Sequence, residues 1–319
     1  MISKKVVQNI LNENKFLIMC DLDGTLLKND GTISKFSCEI IKAVQAMGHK
    51  FVIVTGRPPR VSKQYYSQLK LDSLFVNYNG ALITNPGDKF FSPLQFGFSR
   101  ELIKEIFADL LVVKFLKNVI FESYDGVYFF KKPTTKEEHE ALISHFHVHL
   151  KPNDSLNIVK PNFSNINTDC FSIVLILNDD VSFPTVFDRI RSIASTLSVQ
   201  SWKVKNLGVC IEISSIFASN KGTTLKFLSA YYGIPLEQCI VFGDGDNDVL
   251  GLRKALFGFA VKNASLSAKL CARRVLKWTN EEDGVAHSLQ EFFNIKTKVE
   301  KLNKSEKIVT IKVKKEEKI

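Results

Sequence analysis

The sequence predicts an α/β protein, a doubly wound parallel sheet interrupted by an inserted α+β segment. Three observations carry that expectation. Apolar runs too short for a helix recur at residues 16–20, 51–54, 74–76 and 238–242, and each ends in polar or acidic residues. Stretches of helical period separate them, the alternation that builds parallel sheets. From about residue 86 to residue 214 the alternation gives way to strands in pairs with helices between them.

Taken in order, Phe16-Leu17-Ile18-Met19-Cys20 reads as a strand buried on both faces. Asp21-Leu22-Asp23-Gly24-Thr25-Leu26 follows it directly. A helix is expected from Ser34, an N-cap residue, to Gly48 in the C′ position, with Phe36, Ile40, Ile41, Val44 and Met47 as its apolar stripe. Phe51-Val52-Ile53-Val54 is a second buried strand that ends in Thr55-Gly56-Arg57, and Pro58 and Pro59 stop it. A helix over residues 61–69 leads to a third strand, Leu74-Phe75-Val76-Asn77, closed by Asn79-Gly80.

In the insert, residues 119–121 and 127–130 flank Asp125-Gly126 as a hairpin. Helices are expected over 134–150 and 183–197, and strands over 171–176 and 209–213. The α/β pattern resumes at Ser219. Asn220-Lys221-Gly222 opens a helix through Tyr232 that Gly233 and Pro235 end. The strand over 238–242 then runs into Gly243-Asp244-Gly245-Asp246-Asn247-Asp248. A strand over 257–261, a short helix, a strand over 275–278 and a closing helix after Asp283-Gly284-Val285 complete the chain. The expected division is a core of residues 1–85 and 215–295, an insert of 86–214 and a lysine-rich tail of 296–319.

Composition excludes several classes. At 319 residues, 45% hydrophobic and 24% charged, the chain is an ordinary globular protein of two domains. No apolar run reaches the roughly 18 residues of a membrane span, and no signal peptide is expected, since the polar run Gln8-Asn9-Ile10-Leu11-Asn12-Glu13 follows Lys4 and Lys5 where an apolar core would stand. Six scattered cysteines without a CxxC argue for a reducing compartment, and the expected location is cytoplasmic. The net charge of +10 does not mark a nucleic-acid binder, because residues 296–319 hold nine lysines against four glutamates and no aromatic residue. The tail reads as solvated, although the alternation over 308–313 also suits an edge strand. His145 and His149 share a helix face but have no acidic partner within that turn. The phosphate-binding fingerprints of dinucleotide and P-loop proteins are absent.

Four strand ends thus carry Asp/Asp, Thr-Gly-Arg, Asn-Gly and Asp/Asn/Asp, with a lysine opening the helix before the fourth. In open parallel sheets that edge is the ligand crevice. Each residue type has work in phosphoryl transfer. A carboxylate can attack phosphorus, and carboxylate oxygens suit Mg²⁺. A hydroxyl and backbone N–H groups hold phosphate oxygens, and a lysine offsets the developing negative charge.

This combination resembles the Cof-type branch, subfamily IIB, of the haloacid dehalogenase superfamily. The motifs are Asp21-Leu22-Asp23-Gly24-Thr25-Leu26, Val54-Thr55-Gly56-Arg57, Asn77-Tyr78-Asn79-Gly80-Ala81, Asn220-Lys221-Gly222, the 243–248 run and Asp283-Gly284-Val285-Ala286. The resemblance covers residues 16–293 and implies a Rossmann-like core with a C2-type cap formed by the insert. It implies Asp21 as nucleophile and Mg²⁺ ligand. Asp23 would be the acid that protonates the leaving group and then the base, with its backbone carbonyl on the metal. Asp244 would be a third ligand supported by Asp248. Thr55, Gly56, Lys221 and Asn247 would grip the phosphate, and Arg57 and Asn79 would face the rest of the substrate. Crowding beside Asp21 and Asp244 is expected to favour the protonated form of Asp23.

The function expected is Mg²⁺-dependent hydrolysis of a small phosphorylated metabolite, a sugar phosphate or phosphorylated cofactor, through an aspartyl-phosphate. A phosphotransferase or phosphomutase shares that first step, and a non-catalytic binding protein on the same fold is the reading from another class. No nucleic-acid or membrane partner is expected. The substrate and the oligomeric state are not legible in the motifs.

Overall fold

The computed structural model describes residues 14–124, 126–146, 157–158, 169–178, 183–216 and 220–296. The tail from residue 297, Asp125, His147, His149 and the side chain of His145 lie outside the described part.

The chain opens with β1 (Leu17–Cys20), α1 (Lys35–Ala46), β2 (Lys50–Ile53), α2 (Pro59–Gln68) and β3 (Phe75–Asn77). Local signals set the first helix: Ser37 N donates to Ser34 Oγ at 2.9 Å, and Gly48 takes φ +86° just past the last turn. After β3 come β4 (Leu82–Thr84) and β5 (Leu94–Gln95), then α3 (Arg100–Ala108) and α4 (Leu110–Phe115). The insert continues as β6 (Leu116–Ser123), β7 (Gly126–Phe129), α5 (Lys136–Phe146), β8 (Asn157–Ile158), β9 (Cys170–Leu177), α6 (Phe183–Ile193), β10 (Ser198–Val204) and β11 (Gly208–Ser214). The closing run is α7 (Lys221–Tyr232), β12 (Cys239–Gly243), α8 (Val249–Lys254), β13 (Phe257–Ala260), α9 (Leu266–Cys271), β14 (Arg274–Val275) and α10 (Gly284–Phe293).

The core sheet is fully parallel in the order β14-β13-β12-β1-β2. β1 lies between β12 and β2 and is wholly buried, which is why it reads as an unbroken apolar run. Its register pairs Cys20 with both Ile53 and Phe242. β1 and β2 therefore end at one level and β12 runs one residue past it, so that Asp21, Val54 and Gly243 line up along the carboxyl edge. β3 differs from expectation. It meets the residue just past β2 through an isolated parallel bridge, Val54 to Val76, and makes its ladder with β4 in a three-stranded antiparallel sheet.

The insert builds a six-stranded sheet, β10-β11-β9-β6-β7-β8, antiparallel except for the β7–β8 pair. One face of it, with Phe121, Ile173, Leu175, Ile211 and Ile213, packs against Ile103 and Ile106 of α3, Val112 of α4 and Val186 and Ile190 of α6. The helices α3 and α4 and the edge strand β10 have no counterpart in the sequence expectations, and the helix expected to reach residue 197 ends at Ile193.

His49 precedes β2 and is buried against Phe16 and Phe293, its ring stacked on Phe293 at 4.3 Å. Phe16 N donates to Nδ1 at 3.2 Å, so the ring proton sits on Nε2, which has no partner among the described residues. Burial lowers its pKa to about 4. Between that value and the unfolded value near 6.5 the unfolded chain binds the extra proton, so the contribution of His49 to stability is full above pH 6.5 and lost as pH falls to 4. Urea unfolding at stepped pH should show a loss of ~1–3 kcal/mol over this window that is absent in His49→Gln.

Candidate active site

Asp21 leaves the end of β1 into a tight turn, Leu22–Leu26, with its side chain nearly buried. Gly24 sits at φ +67°, and a Cβ there would overlap the Asp244 carboxylate. Glycine lets the first acidic turn approach the second this closely. The approach is bonded too: Thr25 Oγ1 donates to Asp244 Oδ1 at 2.8 Å.

Lys221 lies beneath both turns, fully buried. Asn220 caps its helix, accepting from Gly222 N and Thr223 N through the side chain, and this aims the first turn of α7 at the end of β1. Lys221 Nζ donates to Asp21 Oδ1 at 2.6 Å and to Asp248 Oδ1 at 2.7 Å. Burial pulls its pKa down, but the two carboxylates outweigh burial and hold the ammonium above its ordinary value. The other oxygen of Asp248 accepts from Asp244 N and Gly245 N, both at 3.0 Å. Asp248 is therefore saturated, anchoring the lysine on one side and the acidic loop on the other.

Asp21, Asp244 and Asp248 each offer a carboxylate oxygen within 4.8 Å of the others. Burial raises the pKa of Asp21 well above its ordinary value, with Asp248 and Asp244 adding to it against the pull of Lys221. Burial and Asp248 raise Asp244 to about 6, against the Thr25 hydrogen bond. Three crowded carboxylates facing one ammonium leave negative charge uncompensated. The set fits a hard divalent cation, because it is all oxygen and each of Asp21 and Asp244 keeps an oxygen without a hydrogen bond from a described residue.

The pair at the end of β1 divides. Asp23 has a half-exposed carboxylate held by Arg57, whose Nε reaches Oδ2 at 2.7 Å while Nη2 pairs with Oδ1. The expected crowding of Asp23 against Asp21 and Asp244 gives way to this ion pair. Tyr65 fixes the arginine from behind: the guanidinium lies 5.6 Å from the ring centroid, and Nη1 donates to the hydroxyl at 3.3 Å. Motif spacing carries no sign of Tyr65, which lies eight residues past Arg57 on α2.

Of the other expected residues, Thr55 is buried, its Oγ1 accepting from Arg57 N at 3.1 Å. Asn79 takes φ +56°, and its side-chain oxygen accepts from Asn247 Nδ2 at 2.9 Å. Its backbone carbonyl accepts from Thr224 Oγ1 of α7 at 3.1 Å. Cys20 is buried with its thiol pushed up by burial and by Asp21, and so is unreactive.

Above these residues lies a cavity of about 300 Å³. Its floor is Asp21, Asp23, Gly56, Arg57 and Asn247, and its roof is part of the insert-sheet face that α5 also packs against, with Glu122, Ser172, Trp202 and Glu212. These roof residues could have been found only from the strand register. Glu122 accepts both guanidinium nitrogens of Arg60 at 2.8 Å and the Tyr78 hydroxyl at 3.0 Å, joining insert to core.

The sequence model of the haloacid dehalogenase-like hydrolases matches residues 18–289. The chain is 34% identical over 282 residues to the 5-amino-6-(5-phospho-D-ribitylamino)uracil phosphatase YitU of Bacillus subtilis, with 88% of this chain and 98% of that protein covered. It is 26% identical over 274 residues to a phosphatase of the same description, YbjI of Escherichia coli, with 84% and 93% covered. Among solved structures, the haloalkanoate-superfamily phosphatase BT1666 of Bacteroides thetaiotaomicron superposes with a TM-score of 0.69 at 22% identity, covering 88% of this chain and 96% of that one.

Asp248→Ala removes one of two partners from a buried ammonium and the acceptor of two loop amides. It should lower stability by about 3–5 kcal/mol, read as a shifted urea midpoint at unchanged m-value.

Proposed function

The chain belongs to the haloacid dehalogenase-like hydrolases, and from that premise we propose that it is a Mg²⁺-dependent phosphatase of small phosphorylated metabolites, working through an aspartyl-phosphate on Asp21. The observation that carries the reading is the state of Asp21. Its Oδ1 is bound to Lys221, its other oxygen has no hydrogen bond from a described residue, and it lines the cavity floor.

In this reading Asp21 attacks phosphorus and the ester oxygen leaves with a proton from Asp23. Asp23 suits that part because its carboxylate lies at the cavity and is tied only by an exchangeable ion pair to Arg57. It then takes a proton from the water that opens the acyl phosphate. Lys221 holds Asp21 in its attacking orientation and offsets charge gathering on the phosphoryl oxygens. Thr55, Gly56 and Asn247 supply donors around those oxygens, and Arg57 and Asn79 shape the way in. Mg²⁺ would be held by Asp21, Asp244 and the backbone carbonyl of Asp23, with Asp248 as support, and would neutralise phosphate charge. The insert acts as a cap over the site and limits water during the first step.

The names of the relatives favour water over a sugar hydroxyl as acceptor, and a phosphorylated ribitylaminopyrimidine is the first substrate to assay. The described cysteines are all unpaired thiols, which supports a cytoplasmic setting. Among the described residues no helix is long and apolar enough to cross a membrane.

Asp21→Asn should abolish Mg²⁺-dependent hydrolysis of p-nitrophenyl phosphate, a loss of at least about 10³-fold, with the circular dichroism spectrum retained. Near-normal turnover by the folded variant overturns the mechanism. Chelation with EDTA should silence the wild-type protein, and added Mg²⁺ should restore it.

A further inference from the structure

The roof of the cavity is an array set by strand register. Glu122 of β6 pairs with Ser172 of β9, Val174 of β9 with Glu212 of β11, and Cys210 of β11 with Trp202 of β10. Because side chains alternate along a strand, Glu122, Ser172, Val174, Glu212 and Trp202 share one face. The opposite face is sealed by α3, α4 and α6.

The charge on this array is one-sided. Glu122 is satisfied, with Arg60 forked onto it and the Tyr78 hydroxyl beside it. Glu212 receives one described side-chain donor, the Ser172 hydroxyl at 2.7 Å on Oε1. Burial raises the Glu212 carboxyl, and although Ser172 opposes the rise, Glu122 adds to it. A carboxylate in that position is relieved by a donor and aggravated by a second anion. Arg57 is the one cation among the described cavity residues, and it is engaged by Asp23 on the floor. Among the described residues the roof therefore offers hydrogen-bond acceptors and an indole, with no cation for a second acidic group on the substrate.

Resting on the phosphatase reading above, we infer that the roof selects phosphate esters whose leaving group is uncharged or cationic and rich in hydrogen-bond donors. Glu212 accepts from that group, Trp202 is the surface it lies against, and esters bearing a carboxylate or a second phosphate at the far end are rejected. The size agrees, since about 300 Å³ is at the small end of ligand pockets.

A matched pair of substrates tests this on the full chain with Mg²⁺ at pH 8. Sorbitol 6-phosphate and 6-phosphogluconate share a phosphorylated polyol chain and differ at the far end, a hydroxymethyl group against a carboxylate. Their kcat/KM values should differ at least tenfold in favour of sorbitol 6-phosphate. Glu212→Gln should shrink the ratio at least fivefold, chiefly through a lower KM for 6-phosphogluconate. Glu212→Ala removes the carboxylate instead of neutralising it and should move the ratio the same way, so either folded variant decides. A wild-type ratio near one, or a ratio unmoved in a folded variant, overturns the selectivity while leaving phosphatase activity standing. If neither ester nor p-nitrophenyl phosphate is hydrolysed, the phosphatase reading falls and the selectivity falls with it.

Discussion

A buried ammonium must be paired, and much of this site follows from how Lys221 is paired. Its two bonds, to Asp21 and Asp248, join the first turn of α7, the end of β1 and the loop after β12. Removing charge from water is expensive, and only close contact with several carboxylate oxygens offsets it. The three elements are thereby held at one level on the sheet edge. Asp248 extends the constraint by accepting two amides of the 244–245 turn, which fixes where the Asp244 carboxylate stands. The lysine is therefore a structural centre as well as a chemical one.

The same economy of charge separates the two aspartates of the first turn. Asp21 points into the buried cluster and shares the lysine, while Asp23 points outward and takes Arg57 as its counter-ion. One carboxylate is oriented and desolvated, as a nucleophile requires. The other is half-exposed and held by a cation that can release it, as a proton carrier requires. Two residues apart on the chain, they occupy unlike environments, one among buried groups beside Lys221 and the other half-exposed beside Arg57.

Local signals were the legible part of the fold. Ser34, Gly48, Asn220 and Gly233 mark helix ends because caps use neighbouring backbone. The apolar runs at β1, β2 and β12 mark strands because both their faces are buried. The edge strand β10 was not legible, since among the described residues one flank has no partner strand and only Val204 of its residues is buried. The place of β3 was also hidden: a short apolar run reads alike whether its neighbour is parallel or antiparallel, and here β4 takes the ladder. At the site, the residues on strand ends could be named from their motifs, whereas Tyr65, Glu122, Trp202 and Glu212 had no motif to announce them.

The amino-acid sequence by itself determined the alternation of strands and helices, the membership of the family and which acidic, amide and lysine residues stand at strand ends. These depend on periodicity and on neighbours a few residues apart. Tertiary structure alone decided who bonds to whom: Lys221 to an aspartate 200 positions away, Arg57 to Asp23, and Arg60 of α2 to Glu122 of the insert sheet. Ion pairing and cavity shape depend on distance in space and on exclusion of water, and neither is written in the spacing of residues along the chain.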